Sequence, residues 1–138
     1  MSLLWKELFS WGNANQLINA ASLLIAIPQD DPSITPPEKQ RFDVCVQIPE
    51  FRNPSGHIGC QTIPAGTFGI GRHYGSFDNL ADTYMHIYDS LITTGRFRLR
   101  TETSFEVYSY SLVKSDIRIH FTDVYLPVEP VEKHKQIK

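Results

Sequence analysis

Thr67-Phe68-Gly69-Ile70-Gly71-Arg72-His73-Tyr74, followed shortly by Asn79-Leu80-Ala81-Asp82-Thr83-Tyr84-Met85-His86-Ile87-Tyr88-Asp89-Ser90-Leu91-Ile92, sets an extended segment directly against a helix. Leu80, Tyr84, Ile87, Tyr88 and Leu91 recur at three- and four-residue spacing, the stripe of an amphipathic helix that Ser76 or Asp78 is placed to cap. Glycines inside the preceding strand mark a bulge or the close approach of another element. Beyond the helix, Phe105 to Tyr110 and Ile117 to Leu126 are β-rich and separated by a polar turn, which predicts a hairpin.

The N-terminal half reads similarly. Leu4, Leu8, Trp11 and Asn15, with Trp5 and Phe9 beside them, predict a short amphipathic helix. Ser22 to Ile27 is an apolar strand stopped by Pro28, and the Pro-rich stretch from Gln29 to Pro37 excludes a helix or central strand, leaving a surface loop. From Arg41 to Ile48 the even positions Phe42, Val44, Val46 and Ile48 alternate as on a half-buried strand, which Pro49 ends. The order is helix, strand, strand, then strand, helix, strand, strand: an α+β domain of two similar halves over residues 1–128, with a solvated tail over 129–138.

With 138 residues and 41% hydrophobic content, the chain can bury a core without disulfides or structural metal. Thirteen Lys and Arg against fifteen Asp and Glu give a net charge of −2, with no basic block to release counterions from a nucleic-acid backbone, so direct DNA binding is not expected. The longest apolar run, Ala20 to Ile27, is far short of the roughly 20 residues needed to span a bilayer, and the N-terminus lacks the pattern of a secretory signal. Cys45 and Cys60 form no CxxC pair and read as buried free thiols of a cytoplasmic protein. The histidines His57, His73, His86, His120 and His134 lack metal-ligand spacing. Gly66, Gly69 and Gly71 do not open a helix, and Tyr74 stands where a dinucleotide fingerprint needs its third glycine. No Gly-x-Ser-x-Gly elbow is present. Metal, cofactor and catalytic nucleophile are therefore not expected.

Several segments, in order, carry a family resemblance: Asp30-Asp31-Pro32 with Thr35-Pro36-Pro37-Glu38-Lys39, Arg41 to Val46, Ile63-Pro64-Ala65-Gly66-Thr67-Phe68, Gly75-Ser76, Phe105-Glu106-Val107-Tyr108, and Asp123 to Val128. Together they resemble the GyrI-like effector-binding domains, which also form the sensing half of multidrug-responsive AraC- and MerR-type regulators, and the stand-alone drug-binding members carried on integron cassettes. The resemblance implies a pseudo-twofold pair of β-α-β-β units, two helices over an antiparallel sheet, and a ligand cleft between them. Here the first unit starts at its helix and lacks its initial strand, so either charge and loops manage the sheet edge or a partner chain covers it, as in a homodimer. No helix-turn-helix segment is recognisable, so reading DNA would fall to a separate partner.

The resemblance places the acidic pocket residue at Glu106. Strand alternation puts Glu106, Tyr108 and Tyr110 on the face opposite Phe105 and Val107. A carboxylate beside aromatic rings suits a delocalised cation, because ring faces attract positive charge and the acid neutralises it. A solvated strand face is the plain alternative for Glu106. Trp11, Tyr84 and Tyr88, on the helical stripes, are expected as stacking walls, with plain core packing as their alternative. Phe51, Tyr74, Phe77 and Tyr108 are further candidates. The expected function is non-enzymatic binding of amphipathic, cationic aromatic molecules by a sensor or sequestering module. The resemblance implies two alternatives that stay open: a hydrolase of reactive cyclopropane compounds using Glu106 with Tyr84 or Tyr108, and an inhibitor that contacts DNA gyrase, for which the Asp30-to-Glu38 loop is a candidate surface.

Overall fold

Leu8, Phe9 and Gly12 form the buried side of the first helix, α1 (Leu3–Ala14), whereas Leu3 and Leu4 face outwards. The computed structural model describes residues 3–19, 21–30, 34–54, 56–75, 79–109 and 121–131. α1 closes in a Schellman arrangement: Gln16 takes a left-handed φ of 58°, its N–H donates to Asn13 O at 3.1 Å, and Leu17 N–H donates to Gly12 O at 2.8 Å. The chain then enters β1 (Leu23–Pro28). Its turn into β2 (Phe42–Val46) is held by Asp30, whose carboxylate accepts the Arg41 backbone N–H at 2.7 Å and its guanidinium at 3.0 Å. Pro37–Lys39 adds one short 3-10 turn.

The second half runs β3 (Phe68–Tyr74), α2 (Leu80–Tyr88), β4 (Phe97–Leu99), β5 (Phe105–Ser109) and β6 (Phe121–Pro130). α2 lies close on β3 because two positions there carry no side chain. A Cβ on Gly71 would stand 2.7 Å from Ile87, and one on Gly69 would meet Leu91 and Ile87. The regular helix ends at Tyr88 and continues as a π-turn over Asp89–Thr93, so the predicted helix to Ile92 is two conformations in series. Its N-cap is Asn79, without a side-chain capping bond, while the expected caps Ser76 and Asp78 lie outside the described residues.

All pairings are antiparallel, in the order β2-β1-β5-β6-β3, with β4 also on β6. The fold is α+β, with two helices and a six-stranded antiparallel sheet. β4 and β5 lie along the same side of β6 as one interrupted strand. Leu99 stands opposite Val128 and Phe105 opposite Tyr125, so six steps on this strand match three on β6. Arg100 holds the break, donating from its backbone N–H to Pro127 O at 3.0 Å and from Nε to Val128 O at 2.9 Å. Val128 N–H donates to Thr67 O, on the β3 side, so the N–H that Pro127 lacks would have pointed into the break. β6 can therefore run through a proline to Pro130, and Glu129 and Pro130 belong to the sheet rather than to the expected tail.

With β4 and β5 counted as one, α1-β1-β2 matches α2-β5-β6 about an axis between β1 and β5, and β3 has no counterpart among the described residues. Leu24, Ala26, Val124 and Ile87 fill the helix side of the core. On the other face Phe105 stacks on Tyr125 at 4.8 Å, Phe68 meets Phe105 edge-on at 5.3 Å, and Arg100 lies 4.7 Å over Phe68. Both cysteines are half-buried, more open than the expected core thiols, and burial pushes the Cys45 thiol up to about 11.

Candidate functional site

Register puts Glu106 between Ala26 of β1 and Val124 of β6, in the middle of the sheet where the two halves join. Its side chain is on the helix face and the residue is 2% exposed. Two phenols satisfy it: Tyr84 Oη on α2 donates to Oε2 at 2.8 Å, and Tyr108 Oη, two residues along β5, donates to Oε1 at 2.6 Å. Trp5 of α1 presents its ring edge-on to Tyr108 at 6.2 Å and stacks on Phe9 at 5.8 Å. His73 of β3, also buried, has Nδ1 2.7 Å from Thr83 Oγ1. Both helices and two strands thus contribute to one buried polar cluster.

Burial dominates the electrostatics. It lifts Glu106 above the ordinary carboxylate range, and the hydrogen bonds from Tyr108 and Tyr84, with the influence of His73, only partly offset it. Tyr84 and Tyr108 are pushed well above the usual phenol range, first by burial and then by the neighbouring carboxylate, so both remain donors. Among the described residues no lysine or arginine forms an ion pair with Glu106. The arrangement is a carboxyl group held by neutral donors and aromatic rings, a setting in which a bound cation would be neutralised at close range.

Residues 1–129 match the family described as the GyrI-like small molecule binding domain. The chain belongs to this family. It is 27% identical over 119 residues to the "SPbeta prophage-derived putative transcriptional regulator YosT" of Bacillus subtilis, covering 86% of this chain and 76% of that protein. It is 26% identical over 129 residues to the "Probable transcriptional regulator YgiV" of Escherichia coli K12, covering 91% of this chain and 76% of that protein.

Within this GyrI-like domain the candidates from sequence fall into separate groups. Glu106, Tyr84 and Tyr108 come together. Trp11 and Phe51 line a different feature, a cavity of about 810 Å³ beside β2, to which none of those three contributes. Tyr88 is 38% exposed on α2. Tyr74 is 67% exposed and lies on the opposite sheet face from Glu106, its ring against Phe121 at 6.3 Å. Phe77 lies outside the described residues.

Trp5, rather than Trp11, is the tryptophan beside Glu106, and Phe9, His73 and Thr83 complete the surroundings. Leu8, Phe9 and Gly12 are the buried residues of α1, and Trp5, three and four residues before Leu8 and Phe9, lies on their side. Among the described residues, no three His, Cys, Asp or Glu side chains are grouped to hold a metal ion, and no helix is long and apolar enough to cross a membrane.

Proposed function

We propose that this domain binds amphipathic, cationic aromatic small molecules at Glu106, with Trp5, Tyr84 and Tyr108 as the aromatic surround, and acts as a sensor or sequestering module. One observation carries the reading: a carboxyl group 2% exposed, held by two phenol hydroxyls, without a lysine or arginine ion pair among the described residues. Ionising a buried carboxyl without a counter-charge is costly, and a cationic ligand supplies that counter-charge. Family membership supports a small-molecule ligand, and two relatives carry regulator names. Membership of a family described as a small molecule binding domain supports binding as the role.

Because Glu106 is so deeply buried, ligand entry requires the side chains over it to rearrange, and Trp5 against Tyr108 is placed to report that change. Titrating cationic, neutral and anionic aromatic dyes against tryptophan fluorescence, in the native chain and Glu106→Gln, tests the proposal. It expects micromolar quenching by cations, weakened selectively by the substitution. Equal response to all charges, or cation binding unaffected by Glu106→Gln, would overturn it.

A further inference from the structure

The polar strip beneath α2 does not end at Glu106. Register sets Val124 of β6 opposite Glu106 of β5 on one side and Gly71 of β3 on the other, and it sets Thr122, two residues earlier on β6, opposite His73. One step beyond Val107↔Asp123, the same register brings Tyr108 beside Thr122. Residues paired across an antiparallel sheet share a face. His73, Thr122 and Tyr108 therefore make one row under the helix, and Gly71, Val124 and Glu106 make the next.

Thr122 stands apart in this strip. It is 0% exposed, and among the described residues its Oγ1 has no hydrogen-bond partner. Its polar neighbours are engaged: His73 Nδ1 lies 2.7 Å from Thr83 Oγ1, and the hydroxyls of Tyr108 and Tyr84 donate to Glu106. A buried hydroxyl left unpaired costs free energy that a valine of the same shape would avoid. α2 packs on both β3 and β6 and closes over the two rows with consecutive residues, Thr83 against His73 and Tyr84 against Glu106.

We infer that Thr122 Oγ1 is a second recognition point for the ligand of Glu106, and that the ligand class is an aromatic cation carrying a hydroxyl or carbonyl oxygen about a ring's width from its charge. The inference rests on the cation-binding reading of Glu106 and deepens it. Glu106 and Thr122 are diagonal neighbours on adjacent strands, roughly 7 Å apart along the backbone, so one small ring system reaches both. The rearrangement of α2 that admits a ligand to Glu106 acts on Thr83 beside Tyr84, and so opens the row of Thr122 as well. A threonine hydroxyl both donates and accepts, which suits it to either kind of oxygen. Because it is unpaired beforehand, an oxygen that reaches it gains a bond without breaking one in the protein, whereas a plain cation leaves it unpaired in both states.

Phenyltrimethylammonium and its meta- and para-hydroxy derivatives, titrated calorimetrically near pH 6, are the probes. The better hydroxy isomer is expected to bind the native chain about tenfold more tightly than the parent cation. Thr122→Val should reduce that preference to under about twofold, through lost affinity for the hydroxy derivative, and Thr122→Ser, which restores a hydroxyl, should keep most of it. Glu106→Gln should weaken the parent and the hydroxy derivative by the same factor, and so reports on the charge reading alone. Equal binding of all three compounds by the native chain, or a preference that persists in Thr122→Val, would overturn the role of Thr122 and leave the cation reading standing. Binding that ignores Glu106→Gln, with a preference lost in Thr122→Val, would overturn the charge reading and leave Thr122 as a contact. Failure of all three compounds to bind would overturn both.

Discussion

The two halves share one plan and differ in a single strand, and that difference separates the molecule's two recesses. In the second half β3 lies between α2 and solvent, its glycines let Ile87 and Leu91 come down onto the sheet, and Ile87 is buried. In the first half nothing described fills the matching position, and Leu4, at the rim of the resulting cavity, is 52% exposed. Between them, on the axis, sits Glu106. Strand order thus places a buried carboxyl at the join and, among the described residues, an unpaired edge at one side.

Substitutions that sample each region should rank accordingly. Ile87→Ala removes the side chain that packs over the glycines of β3 and should cost about 3 kcal/mol in denaturant unfolding. Tyr108→Phe deletes the shorter hydrogen bond to Glu106 and should cost roughly 2 kcal/mol at neutral pH, by thermal or chemical melts.

Glu106→Gln acts in the other direction. The folded carboxyl titrates above its unfolded value, so the folded state binds more protons; this contribution is full below the unfolded value of about 4.3 and is lost as pH rises through the folded one. The native chain should therefore lose stability over that window relative to Glu106→Gln. The variant should gain on the order of 1 kcal/mol at neutral pH, with the gap closing below about pH 4. Leu4→Ala, at the open edge, should change stability by less than about 0.5 kcal/mol. A large loss there would mean that the first half is packed as tightly as the second.

Much of this plan was legible in residue patterns, and the exceptions have physical causes. Both helices announce themselves by periodicity, and the strands at 23–28 and 42–46 by their apolar patterns and the prolines Pro28 and Pro49 that end them, while 68–74 reads as extended. β4 did not, because three residues are too few to show alternation and Arg100–Ser104 breaks its register with β5. β6 runs past Pro127 only because the missing N–H falls into that break. At the site, Glu106 comes from the family resemblance, strand alternation puts Tyr108 on its face, and the helical stripe gives Tyr84. Choosing between Trp11 and Trp5 required knowing which side of α1 faces the sheet, and the apolar residues at 3, 4, 5, 8, 9 and 11 leave that rotation open, whereas the structure buries Leu8, Phe9 and Gly12. Tyr74 failed for a simpler reason: β3 alternates, and His73 takes the inward position.

The most direct test of a buried carboxyl that answers a cation is proton release. A quaternary aromatic cation, which carries no titrating proton, is titrated calorimetrically near pH 6 in buffers of differing ionisation enthalpy. The account predicts net release of protons on binding, because a cation favours the ionised form of a group held above its ordinary range, and loss of that release in Glu106→Gln. Binding with no proton release, or with release that persists in the variant, would contradict it.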